Sequence, residues 1–154
     1  MSIRLGFACL LAIAACDETS AGVRQGYVER HRVAFVYRAP REQIVSALRE
    51  LLAEHDVQLA SDPASATLHT SVAKTRYEST AYVVHVIPLR AGGYQVQIVA
   101  VVHDSDGALK YSMRREEYEW DLIQRVEPDR ALEITRAANE RADKVAPRQR
   151  SSTP

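Results

Sequence analysis

Alternation and helical spacing divide the middle of the chain into recognisable elements. His31 to Arg38 alternates, with Val33, Phe35 and Tyr37 on one side and Arg32, Ala34, Val36 and Arg38 on the other, which predicts a first strand. Ala39-Pro40 ends it. Arg41 to His55 then places Ile44, Leu48, Leu51, Leu52 and His55 at helical spacing with mostly charged residues opposite, the clearest amphipathic helix in the chain. Pro40 suits its first turn, where a backbone N–H would lack a partner in any case. Val57 to Ala60 reads as a short strand before a turn at Ser61-Asp62-Pro63. Three strands are expected next: Thr67 to Val72, extending towards Tyr77; Thr80 to Leu89; and Tyr94 to His103. Arg90-Ala91-Gly92-Gly93 joins the last two as a hairpin loop, and Asp104-Ser105-Asp106-Gly107 is a turn.

Beyond this turn, Ala108 to Met113 reads equally as a further strand or a loop. Arg114 to Val126 sets Tyr118, Leu122 and Val126 at i, i+4 and i+8, which predicts a helix. Glu127-Pro128-Asp129 interrupts it. Ala131, Ile134, Thr135, Ala138 and Ala142 line the small-residue face of a last helix running to about Lys144. The expected order is β-α-β-β-β-α-α. The fold class is α+β: a single two-layer domain over residues 31–145, with a mainly antiparallel sheet of about four strands and helices on one face. Residues 146–154 (APRQRSSTP) read as a disordered tail.

The first thirty residues follow another logic. Met1-Ser2-Ile3-Arg4 carries one side-chain positive charge, and Leu5 to Ala15 is an uncharged apolar run too short to cross a bilayer permanently. The run ends in Ile13-Ala14-Ala15-Cys16, which resembles the lipobox of bacterial lipoproteins. The resemblance implies a signal peptide over residues 1–15, cleavage between Ala15 and Cys16, and lipidation of Cys16. The mature protein would then be held to a membrane through its N-terminal lipid, in the cell envelope and facing the periplasm. Asp17 follows the cysteine and resembles the sorting signal that retains such proteins at the inner membrane in enteric-type bacteria. Residues 16–30, which mix charge, Gly and Ser without an apolar period, are expected to be the lipidated cysteine and a flexible tether. The expected domain order also loosely resembles the small helix-on-sheet domains of envelope lipoproteins, a likeness of fold only.

Composition narrows the function classes. Twenty basic residues stand against twenty acidic ones, so no basic excess points to a nucleic-acid partner. Cys9 would leave with the signal peptide and Cys16 would be acylated, so the mature chain keeps no thiol for a disulfide, a zinc site or a nucleophile.

Candidate chemistry is sparse. His69, His85 and His103 fall on expected strands, yet their spacing matches no metal-binding pattern, and neither metal nor cofactor is expected. No Gly-x-Ser-x-Gly elbow or phosphate-cradling loop occurs, so no catalytic residue is assigned. Glu116 and Glu117, adjacent in sequence, point to different sides of a helix and read as a solvated face. Tyr77, Tyr82, Tyr111, Tyr118 and Trp120 form the one set that suggests an interaction surface. Tyr118 and Trp120 lie about 200° apart on a helix, so Tyr118 is expected in the core and Trp120 facing a partner. The expectation is a non-enzymatic envelope lipoprotein acting as a binding or assembly module, with an envelope protein as partner and contact around Trp120 and Tyr118. The alternative is a lipid-anchored enzyme or a small-ligand or metal-binding protein whose site is not visible in sequence.

Overall fold

The two stretches richest in alternating β-branched residues, 78–88 and 94–104, pair antiparallel along their whole length, from Glu78 opposite Asp104 to Pro88 opposite Tyr94. The computed structural model describes residues 19–60, 65–74 and 78–150, the side chains of 146–150 excepted. The signal-like segment 1–15, Cys16, Asp17, the expected turn at 61–63, Tyr77 and residues 151–154 lie outside the described residues. In chain order the elements are α1 (Ser20–Val33), α2 (Arg41–Ala53), β1 (Thr67–His69), β2 (Ala73–Lys74), β3 (Glu78–Pro88), β4 (Tyr94–Asp104), β5 (Leu109–Arg114), α3 (Glu116–Val126) and α4 (Pro128–Arg150). The sheet runs β1-β3-β4-β5, and β2 also pairs with β3, every contact antiparallel. The class is therefore α+β, a single domain with five strands and four helices among the described residues.

Alternation decides which face is covered. Tyr82, Val84 and Val86 of β3, Val96, Ile98, Ala100 and Val102 of β4, and Leu68 of β1 are buried. Most of them share one core with Ile44, Leu48, Leu51 and Leu52 of α2 and with Leu122, Ile123 and Val126 of α3. Each large aliphatic side chain so enclosed contributes roughly 1.5–3 kcal/mol. The opposite face, with Val83, His85, Gln97, Val99, Val101 and His103, is only partly covered, as antiparallel sheets allow.

Several expected elements differ. The alternation over His31–Arg38 does not make a strand: α1 continues to Val33, and only Tyr37 pairs with the sheet, in an isolated bridge to Tyr94. Tyr37 N donates to Tyr94 O at 2.7 Å and Tyr94 N to Tyr37 O at 2.9 Å. Phe35 and Tyr37 are still buried, but Val33 is 40% exposed and Arg32, expected on the other side, is buried, so the alternation marked only two of its three inward positions and not their backbone. Residues 20–30, expected as tether, are helical. Thr19 Oγ1 accepts from Gly22 N at 3.1 Å as an N-cap, and Arg30, His31 and Arg32 occupy the last turn, where the helix dipole favours positive charge. The expected strand from Thr67 is broken into β1 and β2. Of the stretch Ala108–Met113, all but Ala108 falls in β5, and α4 extends to Arg150, past the expected start of a tail at 146. Pro40 stands at the N-cap of α2, one position before its first turn.

Candidate groove between α1, α3 and α4

The small-residue face expected on the last helix is where α1 docks. Ala131, Ala138 and Ala142 are buried, and α1 runs antiparallel along α4 with the Arg141 guanidinium 4.4 Å from the Tyr27 ring centre. Tyr27 in turn stacks on His31 at 4.0 Å. On the flank of this helix pair facing α3 lies a groove of about 540 Å³. Arg24, Val28 and Arg32, one helical stripe of α1, form one wall; Glu116 and Trp120 of α3 and Thr135 and Asn139 of α4 form the others. Trp120 is half-buried and packs against the core while lining this groove.

The base of the groove is ionic. Arg32 is 6% exposed and Glu119 3%. Arg32 Nη1 donates to Glu119 Oε2 at 2.6 Å, and the other carboxylate oxygen accepts from Arg114 Nε at 2.6 Å and from the backbone N–H of Ile98 at 3.1 Å. Arg32 Nη2 stands 3.0 Å from Glu116 Oε2 without the alignment of a hydrogen bond, so Glu116 meets it as a charge. Arg114 Nη2 is buried with no hydrogen-bond partner among the described residues. Taking these charges out of water is costly, and only the mutual pairing offsets it. Glu116 and Glu117, read as a solvated face, are exposed, whereas Glu119, which that reading did not cover, is buried. Its place three, four and seven residues before Leu122, Ile123 and Val126 puts it on the buried stripe, which is the signal that could have found it.

The two aromatic residues singled out on α3 part company. Tyr118 is 5% exposed and faces α2 and the sheet, stacked on His55 at 4.5 Å and tilted against Tyr82 at 5.6 Å, with Arg115 4.5 Å over its ring. Burial, with hydrogen bonding to Tyr82, pushes its phenol up to about 12. Tyr118 is a core residue, and Trp120 alone lines the groove.

A second polar junction fixes the helices to the sheet. Glu127, between α3 and α4, accepts from the backbone N–H groups of Arg38 and Ala39 through one oxygen and from Arg130 through the other. Burial pushes this carboxyl up, but the Arg130 hydrogen bond and the two amides outweigh it and hold it below the ordinary range. Arg130 also donates to Val36 O at 2.7 Å and lies 4.2 Å over the Phe35 ring.

Of the other candidates, Thr67 Oγ1 lies 3.2 Å from His85 Nδ1, and His103 is near the far end of β4. Among the described residues no group of three or more His, Cys, Asp or Glu is placed to hold a metal ion, and no helix is long and apolar enough to cross a membrane. Asp104 closes its turn by accepting from Asp106 N and Ala108 N at 3.0 and 2.9 Å. Comparison with protein-family models, with curated proteins and with solved structures finds no match to this chain.

Proposed function

We propose that this chain is an envelope lipoprotein, anchored through Cys16 and facing the periplasm, whose folded domain is a non-enzymatic binding or assembly module. The anchor rests on Ile13-Ala14-Ala15-Cys16 at the end of a short apolar run. The binding role rests on one observation, the half-buried indole of Trp120 in the wall of an open groove with a polar rim. An aromatic ring with an apolar body and a polar tip, surrounded by hydrated groups, is the usual anatomy of an interface hot spot. The charges at the base are already paired within the chain, so what the groove offers a partner is apolar contact over Trp120 and Val28 and hydrogen bonding at its rim.

Mass spectrometry of the mature N-terminus tests the anchor: the expected product begins at an acylated Cys16, and Cys16→Ala should leave the membrane fraction. A Cys16→Ala protein that is still processed and still membrane-bound removes this reading. Fractionation of wild type and Asp17→Ser tests the sorting signal, with inner-membrane wild type expected. For the binding role, a photoreactive residue at exposed Gln25 or Asn139 should cross-link an envelope protein in intact cells, and Trp120→Ala should abolish that product.

A second reading is favoured by the size of the groove, since 540 Å³ falls within the range of small-molecule sites. A small amphipathic ligand over Trp120 would quench its fluorescence saturably with no protein partner present, and that measurement separates the two readings.

A further inference from the structure

Folding of residues 20–30 into α1 leaves three chain steps between Cys16 and the N-cap Thr19, a reach of at most about 11 Å. With Cys16 lipidated, the start of α1 is held at the membrane surface. α4 runs antiparallel to α1 and meets it at this end: Ser20, Ala21 and Arg24 line one side of a cleft whose other side is Asn139, Ala142 and Asp143. The helical residues after Asp143 therefore project past the start of α1, by about 10 Å at most. Charge is sorted along the molecule in the same sense. Residues 16–24 and 141–150, the two stretches that converge here, contain five cations and three anions, whereas the rest of the chain after residue 15 contains fourteen and seventeen. Arg141 is laid over Tyr27, Arg24 and Lys144 are exposed, and Arg148 and Arg150 fall in the last turn of α4.

We propose that this end is a docking surface for anionic phospholipid headgroups, on which the domain stands upright beside its own anchor. The inference rests on lipidation of Cys16. A short linker fixes where the domain is but not which face it turns to the bilayer. Charge supplies the second constraint: headgroup phosphates attract the basic end and repel the remainder, which is net negative. That attraction fades over a Debye length, about 8 Å at physiological salt, a distance the projecting turn of α4 spans. Asp17 and Glu18 beside the anchor oppose it, and the cations of α4 outnumber them. The groove then rises from the surface, with Arg24 at its lower end and Arg32 about 12 Å higher along α1.

The test uses the acylated protein reconstituted into vesicles. With Cys9 removed and Cys16 acylated, an introduced cysteine is the single free thiol, so a fluorophore can be placed at Gln149→Cys or at exposed Leu132→Cys, about 25 Å apart along α4. The quencher is a nitroxide carried on a lipid headgroup. On vesicles of phosphatidylglycerol and phosphatidylethanolamine, the label at 149 should be quenched severalfold more than the label at 132. That difference should vanish on phosphatidylcholine vesicles and in the variant Lys144→Glu, Arg148→Glu, Arg150→Glu. Equal quenching at the two positions on anionic vesicles overturns the proposal, and so does a difference that survives on neutral vesicles or, with an unchanged thermal melt, in the charge-reversed variant. The lipid comparison needs no charge substitution, so it decides the matter even where the triple variant folds poorly. Mass spectrometry separates the two readings: a Cys16 without acyl chains removes the anchor and the docking together, while acylated protein that fails the quenching test removes the docking alone.

Discussion

The carboxylate of Glu119 closes on the guanidinium of Arg32 at 2.6 Å, tying α3 to α1 across 87 residues of chain. Both side chains are almost fully enclosed, and Arg32 is the only buried residue of α1. The helix that forms one wall of the groove is thus held from its C-terminal turn by an ion pair rather than by an apolar stripe.

Removing one member of that pair should therefore cost far more than removing both. Glu119→Leu strands two guanidinium groups and is expected to lose about 3–5 kcal/mol, whereas Arg32→Met with Glu119→Leu should recover a large part of it. Urea unfolding of the two single variants and the double variant gives the coupling directly. Additive losses would show that the pair acts independently of its geometry.

Trp120→Ala removes a half-buried ring, so its stability loss should be about 2 kcal/mol, below the 3–5 kcal/mol of a fully enclosed aromatic. Tyr118→Ala should reach that upper range because Tyr118 packs on His55 and Tyr82. Only Trp120→Ala should abolish the rim cross-link. Equal thermal losses for the two would place Trp120 in the core and not at a contact.

The Glu127 carboxyl makes stability depend on pH in a defined direction. Its folded value lies below the ordinary one, so its contribution is present above the unfolded value near 4.5 and is lost as pH falls through the folded value. Glu127→Gln should melt lower than wild type at pH 7, by about 1–2 kcal/mol for the weakened charged hydrogen bonds. The gap should narrow below about pH 4, near where a carboxyl ordinarily protonates. Melting curves of both proteins from pH 3 to 7 check this, and a constant gap would contradict it.

Gly92 and Gly93 both have positive φ, 91° and 82°, yet their surroundings differ. A Cβ on Gly92 meets nothing within 4 Å, while one on Gly93 would stand 2.5 Å from Tyr37 O and 2.9 Å from Val36 Cγ1. Gly92→Ala should cost about 1 kcal/mol for the backbone alone. Gly93→Ala should cost clearly more, because the Tyr37–Tyr94 bridge must open. Chemical denaturation of the two variants side by side decides it.

What could be seen in the sequence depended on whether a residue's partners were apolar and periodic. α2, β3 and β4 were legible because one side of each is packed with Leu, Ile or Val. α1 was not, since its one buried residue, Arg32, is held by an ion pair, which leaves no hydrophobic period. Phe35 and Tyr37 were correctly read as inward, but alternation cannot tell a strand from an extended segment bridged at one residue. At the groove, Trp120 was legible as the odd aromatic on its helix. The cavity beside it was not, because its walls come from three helices, one of them about ninety residues away in sequence.

The pairing of α1 with α4 also sets an order of events. A chain made from its N-terminus produces α1 more than ninety residues before the helix it lies against. Fourteen residues with no apolar stripe are marginal as an isolated helix. The beginning of the domain must therefore wait, unstructured, for the end to arrive. A product stalled before Pro128 has a sheet, α2 and α3, so its first segment finds the Arg32–Glu119 tie but not the helix it lies along, and that segment is where proteases would find it.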